Sequence, residues 1–128
     1  MDKKRVLIAD DEPSIRLAVT RMLADEYTML EAADGQEAVD IAREERPDLI
    51  FMDIMMPNLN GYTACLAIKN DHATKGIPVV MLTAMGDEPH KQFAEGMGAD
   101  GYITKPFTRE ILLEELKRLL EQDPPTDR

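Results

Sequence analysis

Asp10-Asp11, Asp53 and Lys105 are residues whose types and places allow them to do chemistry together. Each stands at or just past the end of a short apolar run: Val6-Leu7-Ile8-Ala9, Leu49-Ile50-Phe51-Met52 and Tyr102-Ile103-Thr104. As parallel strands of one sheet, these runs would bring their C-terminal ends to one edge, where open α/β sheets bind ligands. Three carboxylates gathered there cannot all ionise without a counter-charge. A divalent cation supplies one. An all-oxygen donor set with no nearby His or Cys favours Mg²⁺ over zinc or copper, and Mg²⁺ takes one or two carboxylates plus phosphate oxygens while keeping several waters. Thr83 and Lys105, at the ends of two strands, add a hydroxyl and an ammonium point charge, which complete a cradle for a phosphoryl group. Ala84 leaves room for that group to enter. An Asp carboxylate can act as a nucleophile and form an aspartyl phosphate. Asp53 has the best claim, because the middle strand centres it over the sheet. A single Asp after a strand is commonplace, so the weight lies in the combination.

The elements that must position these residues alternate along the chain. Residues 5–9 read as a buried strand. Pro13 suits the first turn of a helix, and Ile15, Ala18, Val19, Met22 and Leu23 follow at helical spacing. Residues 28–32 form a weaker strand. Asp34 caps the next helix with Glu37 three residues on, and Ala38, Val39, Ile41 and Ala42 carry it toward Pro47. Residues 48–52 are the third strand. Pro57, Asn58, Asn60 and Gly61 make a loop, and a helix follows from about Gly61 to Asn70. Residues 78–82 are the fourth strand, 86–98 a short and marginal helix, and 101–104 the fifth strand. Thr108 caps a final helix carrying Ile111, Leu112, Leu116, Leu119 and Leu120. Continuous apolar strands between amphipathic helices argue for a parallel sheet covered on both faces. Right-handed crossovers leave few topologies. The expected fold is a flavodoxin-like (βα)5 three-layer sandwich with sheet order 2-1-3-4-5.

The chain has 128 residues, enough for one compact domain, here expected over 1–123 with 124–128 as a C-terminal tail. Cys65, the single cysteine, excludes an intrachain disulfide and reads as a small buried hydrophobe. His72 and His90 read as surface residues. The formal net charge of −10 argues against non-specific nucleic-acid binding. Only four apolar residues follow Met1–Arg5 before Asp10, against about 7–15 in a signal-peptide core, and no apolar stretch reaches the roughly 18 residues of a membrane span. A cytoplasmic protein with no membrane partner is therefore expected.

The residues resemble the receiver domain of two-component response regulators, of the chemotaxis-regulator-like single-domain type. The match runs from Arg5-Val-Leu-Ile-Ala-Asp-Asp-Glu12 through Asp53-Ile-Met-Met-Pro57 with Gly61, Leu82-Thr83-Ala84 and Lys105-Pro106-Phe107 to the last helix. Each piece is weak alone; in this order and at these strand ends they are highly specific. The resemblance implies that Asp53 is the phosphoacceptor. It also implies that Asp10, Asp11, Asp53 and the backbone carbonyl of Met55 hold Mg²⁺, and that Thr83 is a switch hydroxyl. Lys105 would pair with the phosphoryl group, Tyr102 would be the switch aromatic, and Lys105-Pro106 would be a cis peptide. The implied partners are a sensor histidine kinase or a histidine phosphotransfer protein, met by Ile15, Ala18 and Met22. A downstream effector would be met by the face of the fourth helix, fifth strand and last helix. Such a domain assists its own phosphorylation and dephosphorylation but is not a turnover enzyme. For Met22, and evenly for Ile15, core packing competes with the contact role; Leu17 falls about 200° around its helix from Val19, away from the core.

Three readings follow: a stand-alone phosphorylation switch, a receiver module from a longer DNA-binding regulator or hybrid kinase, and a Mg²⁺-dependent phosphohydrolase with an aspartyl intermediate. Phosphohydrolases of that kind typically carry a second Asp two residues after the nucleophile, and Met55 stands there. Met55 and Met85 are also apolar where polar side chains would orient an attacking water. A flavodoxin is disfavoured because the loop after the first strand is acidic.

Overall fold

The computed structural model describes residues 3–84 and 96–120. They form β1 (Arg5–Ala9), α1 (Pro13–Leu23), β2 (Thr28–Ala32), α2 (Gly35–Glu45), β3 (Leu49–Asp53), α3 (Gly61–Lys69), β4 (Val79–Thr83), β5 (Gly101–Thr104) and α4 (Arg109–Leu120). The helix expected over 86–98 falls mainly on residues 85–95, outside the described residues, as do His90 and the tail 124–128.

Local chemistry explains where the helices begin. Pro13 opens α1 after an extended Glu12, whose side chain makes no capping bond. Asp34 caps α2 through its Oδ1, which accepts from Glu37 N at 2.8 Å. The reciprocal bond of the capping box is displaced by one residue: Glu37 Oε1 accepts from Ala33 N at 2.6 Å. Asn60 Oδ1 accepts from Thr63 N at 2.9 Å to open α3, and Thr108 Oγ1 accepts from Ile111 N at 3.3 Å to open α4. Caps of this kind contribute about 1 kcal/mol each. Arg46, left-handed at φ 46°, ends α2 just before Pro47.

All four strand pairs are parallel, in the order β2-β1-β3-β4-β5. Both faces of the sheet are buried, so side-chain alternation sorts the apolar residues into two cores. Leu7, Ala9, Ile50, Met52, Val79 and Met81 pack with residues of α2 and α3. Val6, Ile8, Leu49, Phe51, Val80, Leu82 and Ile103 pack with residues of α1 and α4. Cys65 is buried, as expected, and burial pushes its thiol up to about 11.

Two expectations need correction, and a third holds. The third and fourth strands run one residue later than the apolar runs indicate, because hydrogen-bonded pairing continues through Asp53 and Thr83. Ile111 is 39% exposed although it shares helical spacing with Leu112 and Leu116. It lies 100° around the helix from Leu112, at the edge of the apolar stripe. Leu17 does point outward, at 49% exposure.

Candidate functional site

Register converts these strands into a site. Ile8 pairs with Phe51, Asp53 with Leu82, and Leu82 with Ile103. Two residues further along the same face come Asp10 after Ile8, Asp53 after Phe51 and Lys105 after Ile103. Period-two alternation thus places two carboxylates and one ammonium together at the C-terminal edge, on the α1 and α4 side. Asp10 extends the pairing with β2 through Asp10 N to Ala32 O at 3.0 Å, and Lys105 extends the pairing with β4 through Lys105 N to Thr83 O at 2.6 Å.

Lys105 Nζ donates to Asp10 Oδ2 at 3.1 Å and to Asp53 Oδ1 at 3.2 Å. Asp10 is fully buried, and its Oδ1 accepts from Glu12 N at 2.9 Å. Asp11 is exposed at the rim. Carboxylate oxygens of Asp10, Asp11 and Asp53 lie within 4.8 Å of one another. Burial pushes Asp53 up to about 6, helped by the charge of Asp10, while the charge and hydrogen bond of Lys105 oppose the rise. Burial works against the charge of Lys105, but its hydrogen bond to Asp10 and the charges of Asp53 and Asp10 outweigh it and raise its pKa. At neutral pH the centre therefore holds a firmly charged ammonium between crowded carboxylates.

The site opens into a cleft of about 300 Å³ lined by Asp11, Glu12, Asp53, Ile54, Met55, Thr83, Ala84 and Lys105. Thr83 is 2% exposed and Met55 77% exposed. Tyr102 pairs with Met81, two residues before Thr83, and both Tyr102 and Met81 belong to the core on the α2 and α3 side. Thr83 and Tyr102 thus sit on the sheet face opposite Asp53 and Lys105. The Lys105-Pro106 peptide is cis. Beside Lys105, an apolar cavity of about 480 Å³ is lined by Ile15, Ala18, Met22, Ala84, Pro106 and Phe107.

Sequence reasoning missed Arg16. Its guanidinium donates to the Asp10 carbonyl at 2.7 Å and pairs with Glu31 at 3.2 Å, holding the turn that carries Asp10 and Asp11. An arginine in the first turns of a helix after an acidic loop is too ordinary a pattern to have marked it. Gly61 was visible as a loop residue, but not its reason: a Cβ there would lie 2.1 Å from the Asp53 carbonyl oxygen.

The chain matches the response regulator receiver domain family over residues 6–117. It is 38% identical to protein PilH of Pseudomonas aeruginosa over 91% of this chain and 97% of that one. It is 40% identical to the probable transcriptional regulator ycf27 of Guillardia theta, over 94% of this chain and 46% of the relative. The chain thus spans about half the length of that relative. Its fold matches the receiver domain of sensor histidine kinase PA1611 from P. aeruginosa, solved with a magnesium ion coordinated in its active-site cleft, at a TM-score of 0.87 and 30% identity, covering 94% and 99% of the two chains. The chain belongs to the response regulator receiver domains, the phosphoryl-accepting signalling modules of two-component systems.

Proposed function

We propose that Asp53 is the phosphoacceptor, that Asp10, Asp11, Asp53 and the Met55 carbonyl hold Mg²⁺, and that phosphorylation controls which proteins the domain contacts. The observation that carries this reading is the Asp53 carboxylate at the end of the middle strand, 7% exposed, 3.2 Å from Lys105 and beside two further carboxylates. The donor set fits the cation: oxygens within 4.8 Å of one another, with no thiolate or imidazole among them. When bound, the cation neutralises charge on the carboxylates and on the phosphoryl oxygens. An Asp53 oxygen attacks the phosphorus of a phosphohistidine; an O–P bond forms, the N–P bond breaks, and the imidazole leaves and takes up a proton. Lys105 then turns from its two carboxylates toward a phosphoryl oxygen. Thr83 donates to another oxygen, and the movement is felt across the sheet edge by Tyr102.

The partner in this reading is a sensor histidine kinase or a phosphotransfer protein in the cytoplasm. The apolar cavity beside Lys105, with Ile15, Ala18 and Met22 partly exposed along it, supports an approach along α1. Output runs through the face around β5 and α4 to an effector protein, without direct nucleic-acid contact. The domain is a switch and not a turnover enzyme; the apolar Met55 at the cleft supports this, since it cannot orient water. The span of about half of the ycf27 relative favours a second reading of the same chemistry, a receiver module within a longer regulator.

Acetyl phosphate with Mg²⁺ should add one phosphoryl group to the wild type and none to folded Asp53→Asn, read by intact-mass spectrometry. Thr83→Ala should still accept the group but lose the accompanying NMR shift at Tyr102. Equal labelling of Asp53→Asn would overturn the acceptor assignment; an undiminished Tyr102 response in Thr83→Ala would overturn the switch.

A further inference from the structure

Building on the reading of Asp53 and its neighbours as a cation-dependent phosphoryl site, we propose that Asp34 and Asn58 are positioning residues for it. With Gly35 they clasp the loop between β3 and α3, and so set where the Met55 carbonyl meets the cation. The near end of that loop is tied by Gly61 N, which donates to Ile54 O at 2.8 Å. Met55 itself is largely exposed, so its side chain does little to hold the loop.

The far end carries the strain. Asn58 is left-handed at φ 68°, and Leu59 N donates to Pro57 O at 2.7 Å across it, a tight three-residue turn. Such a conformation is uncommon outside glycine and persists where its surroundings hold it. Here the surroundings are the start of α2. Asn58 Nδ2 donates to Asp34 Oδ2 at 2.8 Å. The Leu59 carbonyl oxygen lies against Gly35 so closely that a Cβ there would be 1.8 Å from it. Asp34 uses its two oxygens separately: Oδ1 caps α2 and Oδ2 receives Asn58. The Glu37 amide and then the Asn58 amide hold the Asp34 carboxyl below the usual range, which keeps it an acceptor for both. One carboxylate thus joins the first turn of a helix to the loop that begins at the acceptor.

The test measures Mg²⁺ affinity by NMR titration, and acetyl phosphate labelling rate at saturating Mg²⁺, in the full chain. Asn58→Gly keeps the left-handed backbone and removes the bridge. Asn58→Asp sets a carboxylate against Asp34, while the double variant Asn58→Asp with Asp34→Asn restores a donor–acceptor pair at unchanged net charge. Both single variants should weaken Mg²⁺ affinity by about fivefold or more, with labelling at saturation and the double variant's affinity within about twofold of wild type. Long-range attraction alone would make Asn58→Asp tighten the cation, so weakening marks geometry and not charge. Lowered thermal midpoints with unchanged affinity would reduce the clasp to a helix cap and overturn the proposal, as would failure of the double variant to recover. A wild type that takes neither Mg²⁺ nor phosphate would instead overturn the reading of the site on which the proposal stands.

Discussion

Asp53 carries a cost in the folded protein. Its carboxyl has an ordinary value of 3.8 and is pushed up to about 6 by burial and by Asp10. Well below pH 3.8 it is protonated whether the chain is folded or not, and nothing is lost. As pH rises from 3.8 to about 6 the unfolded chain ionises while the folded one resists. The contribution to stability therefore falls across that window and stays low above it. At 1.36 kcal/mol per unit, the cost at pH 7.5 is at most about 3 kcal/mol. Asp53→Asn should accordingly stabilise the metal-free protein by about 1–3 kcal/mol at pH 7.5, and by little at pH 4. Urea melts in the presence of a chelator, at both pH values, check this. A gain that is the same at both would mean that Asp53 is not held in its protonated form by the fold.

At the scale of elements, α3 starts close to the end of β3, beside Asp53. Gly61 permits this, since any side chain would meet the Asp53 and Ile54 backbone. Backbone cannot retreat as the tip of a side chain can, so Gly61→Ala should cost about 2–3 kcal/mol and slow labelling of Asp53 as well. Gly76→Ala is the control: nothing lies within 4 Å of a Cβ there, and its effect should stay within about 0.5 kcal/mol. Denaturant midpoints of the two variants decide, and equal midpoints would mean that the strand end yields easily. The other junctions are held by side chains. Arg109 donates to Met22 O at 2.8 Å and pairs with Glu26 at 2.7 Å, tying α4 to the end of α1. Lys69 donates to Ile77 O at 2.7 Å and pairs with Asp100 at 2.7 Å, tying α3 to both approaches of the sheet.

For the molecule as a whole, a net charge of −10 means that any added cation relieves some repulsion. A specific site must be separated from that background. Mg²⁺ should raise the thermal midpoint beyond Na⁺ at matched ionic strength, growing with concentration as RT ln(1 + [L]/Kd). Asp11→Asn should abolish the excess and leave the ionic-strength part. Melts across a Mg²⁺ series measure it, and a full excess in Asp11→Asn would place the cation elsewhere on the surface.

The sequence by itself determined the order of the described elements and which strand-end residues could meet at one edge of the sheet. Short runs of three to five residues, four of them followed by Asp, Thr or Lys, could be read because strand periodicity and strand-end chemistry are local properties. The caps Asp34 and Thr108 and the buried Cys65 were legible for the same reason. What the tertiary structure decided was register and contact. That Asp10 is wholly buried while Asp11 stands at the rim follows from pairing between strands separated by dozens of residues. A shift of one residue would have turned Asp53 to the other face. The hold of Arg16 on the Asp10 carbonyl, and the seat of Leu59 on Gly35, depend on how helices pack against the sheet. Such contacts leave no periodic mark in the chain, because they are made by single residues across the fold.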